Sequence, residues 1–154
     1  MGTKHVTPFI WLESGATEAR DFYLALFPEA EVVSEMPGFR PDEPMGVAMT
    51  IADTTFILFN GGPGQPHSWA FSLMVTAETQ EDVDRLWDGL IEGGGEHSRC
   101  GWLQDRFGIW WQIIPAGFMD VMAGPDEAGR ERAREKMMTM DKLVLADLQA
   151  AYDG

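Results

Sequence analysis

The stretches Ala19-Arg20-Asp21-Phe22-Tyr23-Leu24-Ala25-Leu26-Phe27 and Val83-Asp84-Arg85-Leu86-Trp87-Asp88-Gly89-Leu90-Ile91 decide the fold. In the first, Ala19, Phe22, Tyr23, Leu26 and Phe27 fall at i, i+3, i+4, i+7 and i+8. Val83, Leu86, Trp87, Leu90 and Ile91 repeat that spacing 64 residues later. An α-helix turns once every ~3.6 residues, so each set forms one apolar stripe. Pro28 stops the first helix, because its ring and missing N–H cannot continue the ladder. The second begins at Thr79, a capping hydroxyl with Asp82 at the capping-box position. It ends in Gly93-Gly94-Gly95, where positive φ is free.

The flanks of the two helices match as well. A β-rich run precedes each, residues 6–12 and 69–75. After the first helix come extended stretches at 31–35, 46–51 and 54–60, the last two joined by a tight turn at Ala52-Asp53. After the second come 97–103 and 109–114, with Asp105-Arg106-Phe107-Gly108 as the turn. Each half reads strand, helix, then two or three strands. The second half either lacks its middle strand or bends 96–103 into two. A mixed sheet with a helix on one face leaves its other face to be covered. Two copies curling those faces together would enclose a cleft lined by alternate strand residues. Residues 37–44 read as a mobile loop beside it, and Asn60-Gly61-Gly62-Pro63-Gly64-Gln65-Pro66 as the linker. Beyond, Pro125-Asp126-Glu127 opens a helix, and Asp141 is expected to cap a last one carrying Leu143, Val144, Leu148 and Tyr152.

The chain has 154 residues, 45% apolar and 23% charged. That suits a single domain over 1–154, with modules at about 5–62 and 67–116 and a helical tail at 117–154. Lys+Arg 11 against Asp+Glu 25 gives −14, a charge that nucleic-acid backbones and anionic membrane surfaces repel. One cysteine cannot form an internal disulfide. The opening MGTKHVTPF lacks a signal peptide's long apolar stretch, so a cytoplasmic location is expected.

Dinucleotide and phosphate loops are missing, as are Cys-x-x-Cys, His-Glu-x-x-His and Gly-x-Ser-x-Gly. His5, His67 and His97 do not form a self-evident metal site. Cys100, beside Arg99, reads as packing rather than a nucleophile, and Glu13 and Glu18 suit the first helix's positive end. The tryptophans say more. Trp11, Trp69, Trp102, Trp110 and Trp111 fall in or beside the expected strands, and Trp87 lies on the helical stripe. Adjacent Trp110 and Trp111 must point to opposite faces. A cleft walled by indoles suits a flat apolar or aromatic molecule.

Several stretches together resemble the PhnB-like family of the vicinal oxygen chelate superfamily, alongside glyoxalase I, bleomycin-resistance proteins and extradiol dioxygenases. They are Thr7-Pro8-Phe9-Ile10-Trp11-Leu12, residues 19–27 with Phe22-Tyr23, and Asn60-Gly61-Gly62-Pro63. Thr79-Gln80-Glu81-Asp82-Val83-Asp84, Cys100-Gly101-Trp102-Leu103-Gln104-Asp105-Arg106-Phe107-Gly108 and Trp111-Gln112-Ile113-Ile114-Pro115 complete the set. The resemblance implies an α+β fold of paired βαβββ modules, a curved mixed sheet around a cleft, and commonly a homodimer. Members often carry a 3-demethylubiquinone-9 3-methyltransferase label. Neither a nucleotide-cofactor glycine loop nor a doubly wound strand order supports that reaction here.

Metal-using relatives project His, Glu or Gln from the first strand of each module and from the last strand. The corresponding positions are Thr7, Ser68 and Gln112, with His67 one step out of phase. Neutral hydroxyls and a carboxamide are poor transition-metal ligands. The expectation is a metal-independent small-molecule binding protein, with no cofactor and with a divalent metal unsupported by the ligand positions. Thr7, Phe9, Trp11, Ser68, Ser72, Trp102, Trp110 and Gln112 are expected to line its cleft. With the opposite face, Ile10, Trp69 and Trp111 take their places. The alternatives are an enzyme, either with an atypical metal at His67 and an acid or as a lyase or isomerase, and a dimeric module whose cleft is filled by its own aromatics.

Overall fold

The computed structural model describes residues 2, 5–40 and 43–154. The chain divides after Pro66 into two units.

In the first unit, β1 (Phe9–Leu12) runs into α1 (Ala16–Leu26) through Gly15, whose φ of 87° suits a residue without Cβ. β2 (Glu31–Met36), β3 (Gly46–Ile51) and β4 (Thr54–Asn60) follow. The sheet order is β1-β4-β3-β2, with β1 parallel to β4 and the others antiparallel. The expected Ala52-Asp53 turn closes the β3–β4 hairpin, Ala52 taking φ 49°. Ile10, Leu12, Val47, Met49, Phe56 and Leu58 are buried on the face that α1 covers with Ala19, Tyr23 and Phe27. Tyr23 lies edge-on to Phe56 at 6.4 Å between ring centroids. Of the 37–44 loop, Pro41 and Asp42 lie outside the described residues; Arg40 and Glu43 pair across its end.

The second unit repeats the plan. β5 (Leu73–Ala77), α2 (Gln80–Ile91), β6 (Glu96–His97), β7 (Trp102–Gln104) and β8 (Trp110–Pro115) form a sheet ordered β5-β8-β7-β6. Both βαβββ repeats are therefore present among the described residues. The 96–103 stretch does bend into two strands. Cys100 and Gly101 take φ of 59° and 83° between them, and their amides donate to the carbonyls of Met140 and Asp141 at 2.7 Å. Thr79 caps α2, its hydroxyl accepting from the Asp82 amide at 3.1 Å. Leu103, Trp111 and Ile113 bury their side chains on the face that α2 covers with Val83, Leu86, Trp87 and Leu90.

Three strand and cap expectations need correction. The first strand starts at Phe9 rather than at residue 6, and the ladder opens with the Pro8 carbonyl accepting from Ile57 N at 2.9 Å. Pro8 has no N–H with which to extend it. The fifth strand starts at Leu73 rather than at 69, because a strand needs a partner and β8 first supplies one at Trp111. Residues 68–71 form a turn instead, with Phe71 N donating to Ser68 O at 3.3 Å. The last helix, α5 (Leu145–Asp153), is not capped by Asp141. Gln80 Oε1 accepts the Leu145 amide at 3.1 Å, while Asp141 lies 2.9 Å from His97 Nδ1.

A short α3 (Phe118–Met122), unforeseen in the sequence, precedes α4 (Glu127–Met137), whose amides at Ala128 and Gly129 donate to Asp126. Val121, Ala133, Met140, Leu143 and Leu148 bury a separate apolar cluster among these helices, with Ile114 packed against it.

Candidate functional site

The face of each sheet turned away from α1 or α2 is the place to look, because that helix closes the opposite face; on the second sheet the tail helices reach the Ile114 end of it. In the first unit, Phe9 and Trp11 point to that open face, 53% and 37% exposed, while Ile10 and Leu12 point the other way. The rings continue across the sheet: Phe59 lies 5.0 Å from Phe9 and 5.4 Å from Trp11. The Trp11 indole donates to Gly62 O at 2.8 Å. A Cβ on Gly61 would sit 2.0 Å from the Trp11 ring, so the glycine there is what admits the indole. Asn60, read in the sequence only as the linker's start, is structural. Its carboxamide accepts the first amide of α1, from Ala16, at 2.9 Å, and donates to Pro44 O at 3.0 Å. A cavity of about 460 Å³ adjoins this face, lined in part by Trp11, Phe39, Arg40 and Phe59. Thr7 is exposed and precedes β1.

In the second unit the phase of β8 is unambiguous. Trp111, Ile113 and Pro115 are buried; Trp110, Gln112 and Ile114 are half-buried on the opposite face. Register adds Trp102 opposite Gln112, Gln104 opposite Trp110, and Met74 beside Gln112. Ser72 joins them, its hydroxyl accepting from Gln112 Nε2 at 2.9 Å. Thus Ser72, Trp102, Trp110 and Gln112 share one face. Of the opposite-face alternatives, Ile10 and Trp111 are buried on the helix sides. Trp69 lies in the turn, its ring 6.2 Å from that of Trp110. Ser68 is in that turn too, exposed and off the strand.

The cause of this phase is Asp105. Its buried carboxylate accepts the amides of Phe107 at 2.9 Å and Ile109 at 3.0 Å, and the Trp111 indole at 2.8 Å. Fixing Trp111 on the helix side turns Trp110 and Gln112 to the open side. The Trp110 indole nitrogen is the contrast. It is a buried side-chain nitrogen without a hydrogen-bond partner among the described residues. An orphaned buried donor asks for an explanation, of which an unseen acceptor is one. Gln112, Ile114, Met74 and Thr76 line a cavity of about 390 Å³ beside α3.

The family model described as 3-demethylubiquinone-9 3-methyltransferase matches residues 4–114. The chain belongs to that family. A putative 3-demethylubiquinone-9 3-methyltransferase, PhnB protein, from Bacillus cereus is similar at 28% identity, covering 73% of this chain and 100% of that one, with a TM-score of 0.62. The fosfomycin resistance protein FosX from Listeria monocytogenes, complexed with Mn(II) and sulfate, shares the fold at 11% identity, 80% and 98% coverage and a TM-score of 0.58. A glyoxalase/bleomycin resistance protein from Albidiferax ferrireducens T118 does so at 15% identity, 73% and 98% coverage and a TM-score of 0.51. No curated protein matches the sequence. The last two likenesses, at 11% and 15% identity, show that this member of the 3-demethylubiquinone-9 3-methyltransferase family shares its fold with FosX and with a glyoxalase/bleomycin resistance protein.

The metal that the fold implies does not fit the donors present. The positions the family resemblance assigns, Thr7, Ser68 and Gln112, offer two hydroxyls and a carboxamide, neutral donors that suit a transition metal poorly. Among the described residues no group of three or more His, Cys, Asp and Glu is placed to hold a metal ion. Nor is any helix there long and apolar enough to cross a membrane. Cys100 is half-buried, its thiol donating to Met137 O at 3.6 Å, which is a packing role.

Proposed function

We propose that the protein binds a small, flat, partly aromatic molecule without a metal, on the face of the second unit's sheet turned away from α2. The observation that carries this is on β8. Gln112, tied to Ser72, and the Trp110 indole, whose nitrogen has no partner among the described residues, lie two residues apart on one face of β8. There the Gln112 carboxamide oxygen accepts from a ligand and the Trp110 N–H donates to it, while Trp102 supplies ring surface. Phe9 and Trp11 belong to the first unit's aromatic platform, while Thr7 lies exposed before β1 and Ser68 in the turn before β5. The methyl transfer named in the family's description finds no support in these residues. Neither strand-to-helix turn, Glu13-Ser14-Gly15 nor Glu78-Thr79, is a glycine-rich cofactor loop.

The test is a screen of flat aromatic acids, amides and phenols by thermal shift and tryptophan fluorescence. Saturable binding at one site is expected, weakened about ten-fold by Gln112→Leu with the melting point otherwise little changed. Binding indifferent to Gln112→Leu and Trp110→Phe would remove the assignment. So would stoichiometric zinc, nickel, manganese or iron in protein purified without a chelator, lost on His67→Ala; that result belongs to a metal-dependent enzyme.

A cytoplasmic homodimer is part of the same reading. β2 is a terminal strand of its sheet, exposed along most of its length, and so offers an edge to a second copy. Sedimentation as a monomer at tens of micromolar would exclude it.

A further inference from the structure

In a chain of net charge −14, cations are scarce, and nearly all are engaged. Arg20, Arg40, Arg85, Arg132, Arg134, Lys136 and Lys142 pair with carboxylates. Arg130 donates to the Gly124 carbonyl, and Arg106 lies over the Phe107 ring. Among the described residues Arg99 is the one cation whose side chain makes no ion pair, hydrogen bond or ring contact. Its side chain is exposed, at the edge of a shallow hollow. Arg99 lines a cavity of about 380 Å³ together with Trp69, Ala70, Ser98, Cys100 and Trp102. Asp141, whose carbonyl accepts the Gly101 amide, has its carboxylate engaged by His97.

We propose that this cavity is an anion subsite, taking the carboxylate of a flat aromatic ligand. The assignment rests on the small-molecule reading above and names the class of that molecule. A guanidinium presents a planar fork that matches a carboxylate bidentately. Trp69 and Trp102 offer indole surface for the ring attached to it, and Trp102 also belongs to the open face that carries Gln112. The overall negative field repels anions, so one arginine without a partner among the described residues, beside two indoles, selects a ligand by its charge as well as its shape. Cys100 and Gly101 hold positive φ, their amides fixed by the tail carbonyls, which leaves Arg99 at the lip.

The experiment compares 2-naphthoate with its neutral isostere 2-naphthamide, by calorimetry and by protection of Cys100, the only cysteine in the chain, from maleimide. Naphthoate is expected to bind about 10- to 100-fold tighter than the amide at low salt, the difference shrinking as ionic strength rises. Arg99→Gln should abolish that preference and end the protection of Cys100 by naphthoate. Arg99 supports no other side chain, so the variant's melting curve should coincide with the wild type. Equal affinity for the two probes overturns the subsite, and so does no binding of naphthoate at millimolar concentration or indifference to Arg99→Gln. The small-molecule reading is then judged separately, on the Gln112→Leu and Trp110→Phe variants.

Discussion

The carboxylate of Asp105 accepts the indole N–H of Trp111 at 2.8 Å, at a site where Asp105 is 3% exposed. The same carboxylate closes the β7–β8 turn by accepting two backbone amides. One side chain therefore sets both the hairpin and the direction of every residue on β8. Asp105→Ala leaves three buried donors without this acceptor. We expect a loss of about 3 kcal/mol or more in urea unfolding. Asp105→Asn should lose less, since its carboxamide oxygen still accepts.

Gly61→Ala tests the seating of Trp11. The added methyl would stand 2.0 Å from the indole, and the other neighbours of that ring include Phe59. The ring must move, giving up its bond to Gly62 O. We expect a cost of about 2 kcal/mol and a red-shifted tryptophan emission.

Asn60 replaces a local cap on α1, where Gly15 has no side chain to offer. Asn60→Ala should cost about 1.5 kcal/mol, since it removes both the cap and the Pro44 contact. Asn60→Asp keeps an acceptor at the helix's positive end but loses the donor to Pro44. Its melting point should fall between those of the wild type and the alanine variant.

Asp84 gives a pH signature. Hydrogen bonds from Lys142, at 2.9 Å, and then from Gln80, at 3.2 Å, hold its carboxyl below the ordinary aspartate value, against a small opposing effect of burial. A folded value lower than the unfolded one stabilises the fold fully above the ordinary aspartate value, and that stabilisation is lost as the pH falls through the folded value. The stability difference between the wild type and Asp84→Asn should stay constant above about pH 5 and shrink below about pH 4. Both partners are substantially exposed, so the difference is small, and 0.5 M salt should reduce it.

Much of this architecture is legible as period. Five apolar positions repeated on two helices, with alternating runs around them, specify two βαβββ units without any long-range information. What the sequence conceals are the contacts that join distant residues. Residues 69–72 have strand-like side chains, yet no strand forms, because β8 begins opposite Leu73. Asp141 looks like a cap, yet Gln80, 65 residues before Leu145, takes that amide. The open face of β8 was readable only as a choice between Trp110 and Trp111, and the buried Asp105 makes the choice. Its signal was present in the Asp-x-x-Gly turn, as an aspartate able to accept the amide two residues on. Arg99 could be read only as a neighbour of Cys100, since its lack of partners is a property of the whole fold.

The two adjacent tryptophans should respond differently to the same substitution. Trp111→Phe removes a buried indole whose N–H is bonded, leaving Asp105 with one partner fewer, so hydrogen-bond loss adds to lost packing. Trp110→Phe also loses ring area, but it discards a buried N–H that has no partner among the described residues, and relief of that desolvation offsets part of the packing cost. Urea unfolding should show Trp111→Phe destabilised by about 3 kcal/mol and Trp110→Phe by about 1 kcal/mol or less. The order should be reversed for ligand affinity, which Trp110→Phe lowers and Trp111→Phe leaves nearly unchanged. Equal losses of stability in the two variants would mean that the Trp110 nitrogen is already satisfied in the free protein, and its claim on a ligand acceptor would lapse.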